Sequence, residues 1–157
     1  MNVYFACSIT GGREAETAYH TIVATLQADG HIVPTAHLSQ PDVIELEAVV
    51  DPQEVYTRDI DWINACQALI AEVSTPSHGV GYEISYALCI GKPVLCCYQQ
   101  SKPVSKMISG NTHPALNLKT YQSHAELEHI VREFIAGITS STQESDSFDM
   151  SNITRNL

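Results

Sequence analysis

The sequence predicts an α/β fold of three layers: a five-stranded parallel sheet in flavodoxin-like or Rossmann-like order, with helices on both faces. Two observations carry that expectation. Short apolar runs alternate with stretches of helical periodicity along most of the chain, which is the pattern of a parallel sheet covered on both sides. The connections on one side of the expected sheet, 8–13 and 74–81, are rich in Ser, Thr and Gly, as loops beyond the C-terminal strand ends often are in such folds.

Residues 2–8, NVYFACS, read as a buried first strand, broken by Gly11-Gly12. Ala18, Ile22 and Leu26 then recur every fourth residue, with Tyr19 and Val23 beside them, and Asp29-Gly30 closes that helix. HIVPTA (31–36) reads as a short second strand at a sheet edge, where Pro34 is tolerated. Residues 37–51 form a long acidic connection. Asp51-Pro52-Gln53-Glu54 signals a helix start, with a capping Asp and Pro at the first helical position, and the helix runs to about Ala65. Residues 67–73 make the third strand, and a helix follows the loop to about Cys89. KPVLCCY (92–98) is the fourth strand and ALNLKT (115–120) the fifth, with a short helix at VSKMI between them. Ser123 and Glu126 form a capping box, followed by the packed stripe Leu127, Ile130, Val131, Phe134, Ile135, with Gly137 as its end. The expected domain is 1–138. Residues 139–157, rich in Ser, Thr, Asp and Asn, have no period and are expected to be a disordered tail.

The 157 residues are 44% hydrophobic and 17% charged, enough for one domain with a real core. No apolar run approaches the length of a membrane span, and MNVYFAC has no basic leader, so a cytoplasmic protein is expected. Eight Lys plus Arg against eighteen Asp plus Glu give a net charge of −10, which repels a nucleic-acid polymer. A small anion remains acceptable, because local dipoles outweigh net charge inside a pocket. Five cysteines without CxxC spacing read as buried hydrophobes in a reducing compartment. Seven histidines show no HxH or HExxH grouping, so no metal and no cofactor are expected.

Two acidic residues are candidates for chemistry. Asp59 has Val55, Tyr56, Trp62 and Ile63 as its helical neighbours, whereas Asp61 has Thr57, Arg58, Asn64 and Ala65. Asp59 therefore sits on an apolar stripe, where a carboxylate is costly unless paired, hydrogen-bonded or open to a cavity. A buried Asp that caps a loop satisfies the same pattern. Glu83 falls near the start of its helix, expected in the first turn, where a negative charge is favoured and kept ionised. A surface Glu that complements the helix dipole would look the same. Two carboxylates in one cleft are the minimum equipment for glycosidic cleavage. Tyr4 on the first strand can reach that cleft, although a core tyrosine is the commoner case. Ser8 and Ser77 are small donors at strand ends. The pattern G-x-G-x-x-G fails because position 84 is Ile, which disfavours a dinucleotide.

YFACSITGGRE (4–14), RDIDW (58–62), AEVSTPSHGVGYEISYA (71–87) and SKMISG (105–110) together resemble the 2'-deoxynucleoside 5'-monophosphate N-hydrolases, of the nucleoside 2-deoxyribosyltransferase superfamily. The resemblance spans roughly residues 3–135. It implies cleavage of the N-glycosidic bond of nucleoside monophosphates to free base and sugar 5-phosphate. It places the nucleophile on Glu83, the residue assisting leaving-base protonation and holding the sugar on Asp59, and the orienting tyrosine on Tyr4. Phosphate donors fall on Ser8, Ser77 and the Gly79 amide, with Ile9, Thr10 and Gly12 in the same binding set. Ser105 and Met107 would come from the neighbouring subunit of a homodimer. One departure matters: relatives close to the vertebrate enzyme carry Arg where this chain has Thr10. An Arg grips phosphate with a charged fork, and Thr offers one neutral hydroxyl. Arg13 and Lys106 are the candidates to compensate. A deoxyribosyltransferase exchanging bases, or a non-catalytic nucleotide-binding module, are the alternative readings of the same residues.

Overall fold

The computed structural model describes residues 1–153, with side chains through residue 140. It is the expected α/β sandwich with a parallel sheet, but the sheet has four strands rather than five. They are β1 (Val3–Ala6), β2 (Ala68–Glu72), β3 (Val94–Gln99) and β4 (Leu116–Tyr121), in that spatial order and all parallel. The register pairs Tyr4 with Leu69, Ala71 with Cys96, and Cys96 with Leu118.

The missing strand is the segment 31–36. It is reduced to one parallel bridge between Ile32 and Asn2, held by Val3 N donating to Ile32 O and Ile32 N to Met1 O, both 2.9 Å. Pro34 has no N–H to continue a ladder. Phe5 N instead donates 2.9 Å to the Thr35 side-chain hydroxyl, and the chain turns into a 3-10 turn at Ala36–Ser39.

Helices cover both faces. The helices are α1 (Glu16–Ala28), α2 (Val43–Ala48), α3 (Pro52–Ala65), α4 (His78–Cys89), α5 (Lys106–Ser109) and α6 (His124–Ile153). The acidic connection 37–51 thus contains the 3-10 turn and α2, neither of which its composition announces. Val3, Phe5, Ile70 and Leu95 point into one core with Tyr19, Ile22 and Leu26 of α1 and Leu127 and Val131 of α6. Tyr4, Leu69, Ala71 and Val94 point the other way, against Ile63 of α3 and Ile84 and Leu88 of α4. All of β1 and β2 is buried, so period-two alternation is absent from both strands.

The helix starts follow local chemistry. The Asp51 carboxylate accepts from Gln53 N at 2.9 Å with Pro52 at the first position. Ser123 Oγ accepts from Glu126 N at 3.2 Å, and Glu126 Oε2 reaches back to Gln122 N at 2.8 Å. The helix expected to stop at Gly137 continues to Ile153. A lone Gly costs a helix only about 1 kcal/mol relative to Ala. The hydroxyls of Thr139 and Ser140 donate 3.0 Å to the carbonyls of Ile135 and Ala136, four residues back, which satisfies them within the helix. Of the tail expected to be disordered, 139–153 continue this helix and 154–157 lie outside the described residues. Among the described residues no helix is long and apolar enough to cross a membrane.

Candidate active site

The parallel sheet places the C-terminal ends of β1 and β2 side by side, so the loops that follow them meet. At Gly11 a side chain would press to 2.5 Å from Pro76 O and 2.9 Å from Ser8 Oγ, so only glycine lets these loops approach. Gly12 has φ of +124°, a backbone that L side chains rarely adopt.

Ser8 is fully buried, and its hydroxyl has no hydrogen-bond partner. An unpaired buried hydroxyl costs roughly 1–3 kcal/mol, which suits a donor kept for a ligand. Ser77 caps α4, its Oγ accepting from Val80 N at 3.4 Å. That bond uses a lone pair and leaves the hydroxyl proton free to donate.

Beside these loops stand the two carboxylates. Tyr4 Oη donates to Glu83 Oε1 at 2.6 Å, joining β1 to α4. Glu83 does not lie in the first turn, because α4 begins at His78 and Glu83 is in the second turn. The helix dipole is therefore not what governs its charge. Burial pushes the Glu83 carboxyl up to about 7, the hydrogen bond from Tyr4 pulls against that, and the charge of Asp59 adds to the rise. Burial also holds Tyr4 well above the ordinary tyrosine value, with Glu83 and Asp59 both contributing. The three side chains thus share one electrostatic space.

Asp59 is half-buried, and Asp61 is exposed on the far side of α3, as the helical pattern predicts. The stripe around Asp59 is mixed: Ile63 is buried, whereas Tyr56 is 54% exposed and so does not join the core. Burial raises the Asp59 carboxyl, and the Arg58 guanidinium, 2.9 Å away through Nε, works against it. Arg58 was not singled out by the sequence. Its Nη1 and Nη2 each donate 3.1 Å to the two oxygens of Glu47 on α2, and its guanidinium lies 4.9 Å over the Trp62 ring. Glu47 also accepts from His37 Nε2 at 3.0 Å. No motif marks this network, since its members are ten or more positions apart except where α3 itself supplies them.

Other expected residues are distributed differently. Thr10, Ser77, Gly79, Ser105 and Met107 line a pocket of about 920 Å³ that runs along the Ile84 and Leu88 side of α4. Tyr4, Asp59 and Glu83 do not line it. Ser105 Oγ caps α5 by accepting from Met107 N at 3.3 Å, and Met107 is 84% exposed. The Ile9 side chain is partly buried and packs against the core that α1 covers. Arg13 is committed elsewhere: its guanidinium donates to Leu38 O at 3.1 Å, Gln40 O at 2.9 Å and Glu16 at 3.3 Å. It does not replace the charge missing at Thr10.

A further buried acid escaped the sequence reading. Glu72, at the end of β2, is fully buried and accepts from Ser74 N at 3.2 Å, from the Ser74 hydroxyl, and from Tyr121 Oη at 2.9 Å. Burial raises its carboxyl above the ordinary value, and these bonds work against that rise. Ser74 Oγ in turn accepts from Gln99 N at 2.8 Å, so the start of the second loop is fastened to β3 and β4. A charged residue inside an apolar run was its only sequence signal.

A tyrosine–carboxylate hydrogen bond joins β1 to α4 in an α/β protein whose loops after β1 and β2 carry Ser and Gly. Residues 3–142 match the nucleoside 2-deoxyribosyltransferase family, and the chain belongs to it. It is 38% identical over 136 residues to a Methanosarcina barkeri protein provisionally named 2'-deoxynucleoside 5'-phosphate N-hydrolase 1, covering 87% of this chain and 86% of that one. It is 34% identical over 143 residues to the 5-hydroxymethyl-dUMP N-hydrolase of Danio rerio, covering 88% and 99%. In fold it is similar to the CMP N-glycosidase BcmB of Clostridium botulinum, with a TM-score of 0.61 at 20% identity, covering 83% of this chain and 97% of that one.

Proposed function

We propose that this chain is an N-glycosidase that hydrolyses (deoxy)nucleoside 5'-monophosphates to free base and (deoxy)ribose 5-phosphate. The observation that carries it is the Tyr4–Glu83 hydrogen bond of 2.6 Å with Asp59 in the same electrostatic space, in a chain whose relatives are named for this reaction. The catalytic unit is residues 1–138.

Glu83 attacks C1' as the bond to the base breaks, and the bonding pair leaves with the base nitrogen. Asp59 assists protonation of that nitrogen and holds the sugar. Tyr4 orients the Glu83 carboxylate. Water then attacks the glycosyl ester, giving the hydroxyl to C1' and a proton to solvent, and Glu83 is released. Only ionised Glu83 is a nucleophile. With its carboxyl pushed up to about 7, the ionised form grows as pH rises through the neutral range. The 5'-phosphate is held by Ser8, Ser77, Thr10, the Gly79 amide and the backbone at Ile9 and Gly12.

A homodimer completes the site, with Ser105 and Met107 of each chain reaching into the other. The exposure of Met107, and the exposed Tyr56 and Tyr82 on α3 and α4, whose rings lie beside each other with Tyr86 stacked on Tyr82, support an interface. The five cysteines are free, which supports a reducing, cytoplasmic setting.

The family's name favours a second reading, transfer of the sugar to another base. One experiment separates the readings: incubate the protein with each nucleoside monophosphate, with and without a second free base, and follow base and product by chromatography. Release of base with sugar phosphate supports hydrolysis. A new nucleotide carrying the second base supports transfer. Binding without turnover, unchanged in Glu83→Ala, supports neither and leaves a binding module.

A further inference from the structure

Asp59 gains its partner in an unusual way. Side chains at i and i+1 on a helix do not face one another, yet Arg58 Nε reaches Asp59 Oδ1 at 2.9 Å. The Arg58 side chain is turned to do so by groups on either side of it. The Glu47 carboxylate grips Nη1 and Nη2 as a fork, each at 3.1 Å, and the Trp62 ring one turn along α3 supports the guanidinium face at 4.9 Å. Glu47 is fixed in its turn by His37 Nε2 at 3.0 Å, and the His37 ring meets Trp62 edge-on with centroids 6.1 Å apart. Residues of α2 and α3 therefore meet at one guanidinium whose remaining directed bond goes to Asp59, and His37 of the 3-10 turn braces Glu47 and Trp62 behind it.

Glu47 and Arg58 are little exposed, with 14% and 23% of their side-chain surfaces accessible. Burial opposes ionisation of Glu47, and the bonds from Arg58 and His37 outweigh it, so its carboxyl lies below the ordinary value. Burial likewise opposes the charge on Arg58, and its bonds to Glu47 and Asp59 outweigh that cost. Removing one member leaves the other charge uncompensated, the expensive case for a partly buried pair.

We infer that Arg58, clamped by Glu47, is a positioning residue for Asp59: it holds Oδ1 and leaves Oδ2 for the substrate. This inference rests on the proposed role of Asp59 in the glycosidase. The guanidinium acts through Asp59 and touches no reacting atom. An ion pair at one oxygen fixes the carboxylate plane, as second-layer bonds fix other catalytic groups. The charged and titratable groups acting on Asp59 are Arg58 on α3, Glu47 on α2, His37 in the 3-10 turn, and Tyr4 on β1 with Glu83 on α4. Arg58 and His37 favour its charge; Glu47 and Glu83 oppose it.

The test uses Arg58→Gln and Arg58→Lys in the full chain. The Asp59 carboxyl is followed by carbon NMR across pH without substrate, and kcat and KM are measured on the monophosphate that wild type turns over fastest. Arg58→Gln is expected to move the Asp59 titration to higher pH and to lower kcat by about 10- to 100-fold, with KM changed less. Arg58→Lys keeps the charge without the fork, so it should leave the titration close to wild type while kcat stays reduced. An unmoved titration with wild-type kcat in Arg58→Gln overturns the inference. If Arg58→Gln does not fold, Arg58→Lys decides: wild-type kcat overturns the inference, and reduced kcat with a wild-type titration supports it. Should wild type itself release no base, the glycosidase reading fails, and the NMR titration still decides whether Arg58 governs Asp59.

Discussion

Tyr4 Oη and Glu83 Oε1 lie 2.6 Å apart, although the residues are 79 positions distant in the chain. The bond is short because an O–H donor meets a carboxylate in a partly buried place. It lowers the Glu83 carboxyl against the rise that burial imposes. Tyr4→Phe removes the donor and leaves the ring. The Glu83 carboxyl should then rise further above about 7, moving the acid limb of kcat/KM to higher pH. Loss of a hydrogen bond to a charged group costs roughly 1.5–3 kcal/mol, or about 10- to 100-fold in kcat/KM at neutral pH. A pH–rate profile of the variant checks both. Asp59→Asn should move the same limb the opposite way, because the Asp59 charge is one of the two influences that raise Glu83.

Glu83 itself links activity to stability. Its folded-state carboxyl is raised above the ordinary value, so the folded protein binds this proton more tightly than the unfolded chain does. Stability is then fully present below the ordinary value near 4.5 and is lost as pH rises through about 7. Glu83→Gln carries no charge and escapes that loss. It should abolish base release, by roughly 10⁴-fold, and yet unfold at higher denaturant than wild type at pH 8, by about 1–3 kcal/mol. At pH 4 the two proteins should be nearly equal. Urea titrations at both pH values test this; a Glu83→Gln protein less stable at pH 8 would contradict a carboxylate that burial destabilises when charged.

The four strands and most of the helices were legible because each depends on local signals: apolar runs for β1 to β4, and Asp51-Pro52 and Ser123 for helix starts. The expected edge strand at 31–36 failed because Pro34 ends a ladder that the sequence alone shows only as apolar, and Thr35 takes over by side chain. Glu83 was found for a partly wrong reason, since the start of α4 at His78 puts it a turn further from the dipole. The helical-face argument for Asp59 separated it correctly from Asp61. Glu47 and Arg58 stayed invisible, because an ion pair between an acidic connection and a helix has no period and no spacing. Glu72 shows the same limit: its partners Ser74 and Tyr121 are brought together only by the order of β2, β3 and β4.

Ser8 offers a test in which stability and binding separate. Its hydroxyl is buried without a partner in the free protein. Ser8→Ala removes that unsatisfied group and should leave stability unchanged or raise it by up to about 1–3 kcal/mol. If the hydroxyl is kept for phosphate, the same change should raise KM for a monophosphate by roughly 5- to 10-fold, about 1 kcal/mol for one hydrogen bond. It should leave the unphosphorylated nucleoside unaffected. Thermal melts and paired kinetics read the two effects. A loss of more than 2 kcal/mol in stability, about the middle of that range, would make Ser8 a structural residue.

On the proposed reading, Thr10 governs how strongly the phosphate is held. It lines the pocket with Gly11, Ser77 and Gly79. The nearest guanidinium in sequence, Arg13, is bound to Leu38 O, Gln40 O and Glu16 and packs 5.4 Å from the Tyr19 ring centroid. Freeing Arg13 would break these bonds, so Arg13 does not supply the charge that Thr10 lacks. Thr10→Arg adds a charged fork at the pocket wall without disturbing Arg13. A hydrogen bond to a charged group contributes roughly 1.5–3 kcal/mol, so KM for a monophosphate should fall by about 10-fold or more, with kcat nearly constant. The nucleoside without phosphate should gain nothing, because the new cation has no partner on it. Added salt should erode the gain, as screening predicts for an ion pair reached by solvent. The measurement is KM for both substrates at low and high ionic strength. An equal gain for the nucleoside would place the phosphate away from Thr10 and remove this loop from the binding site.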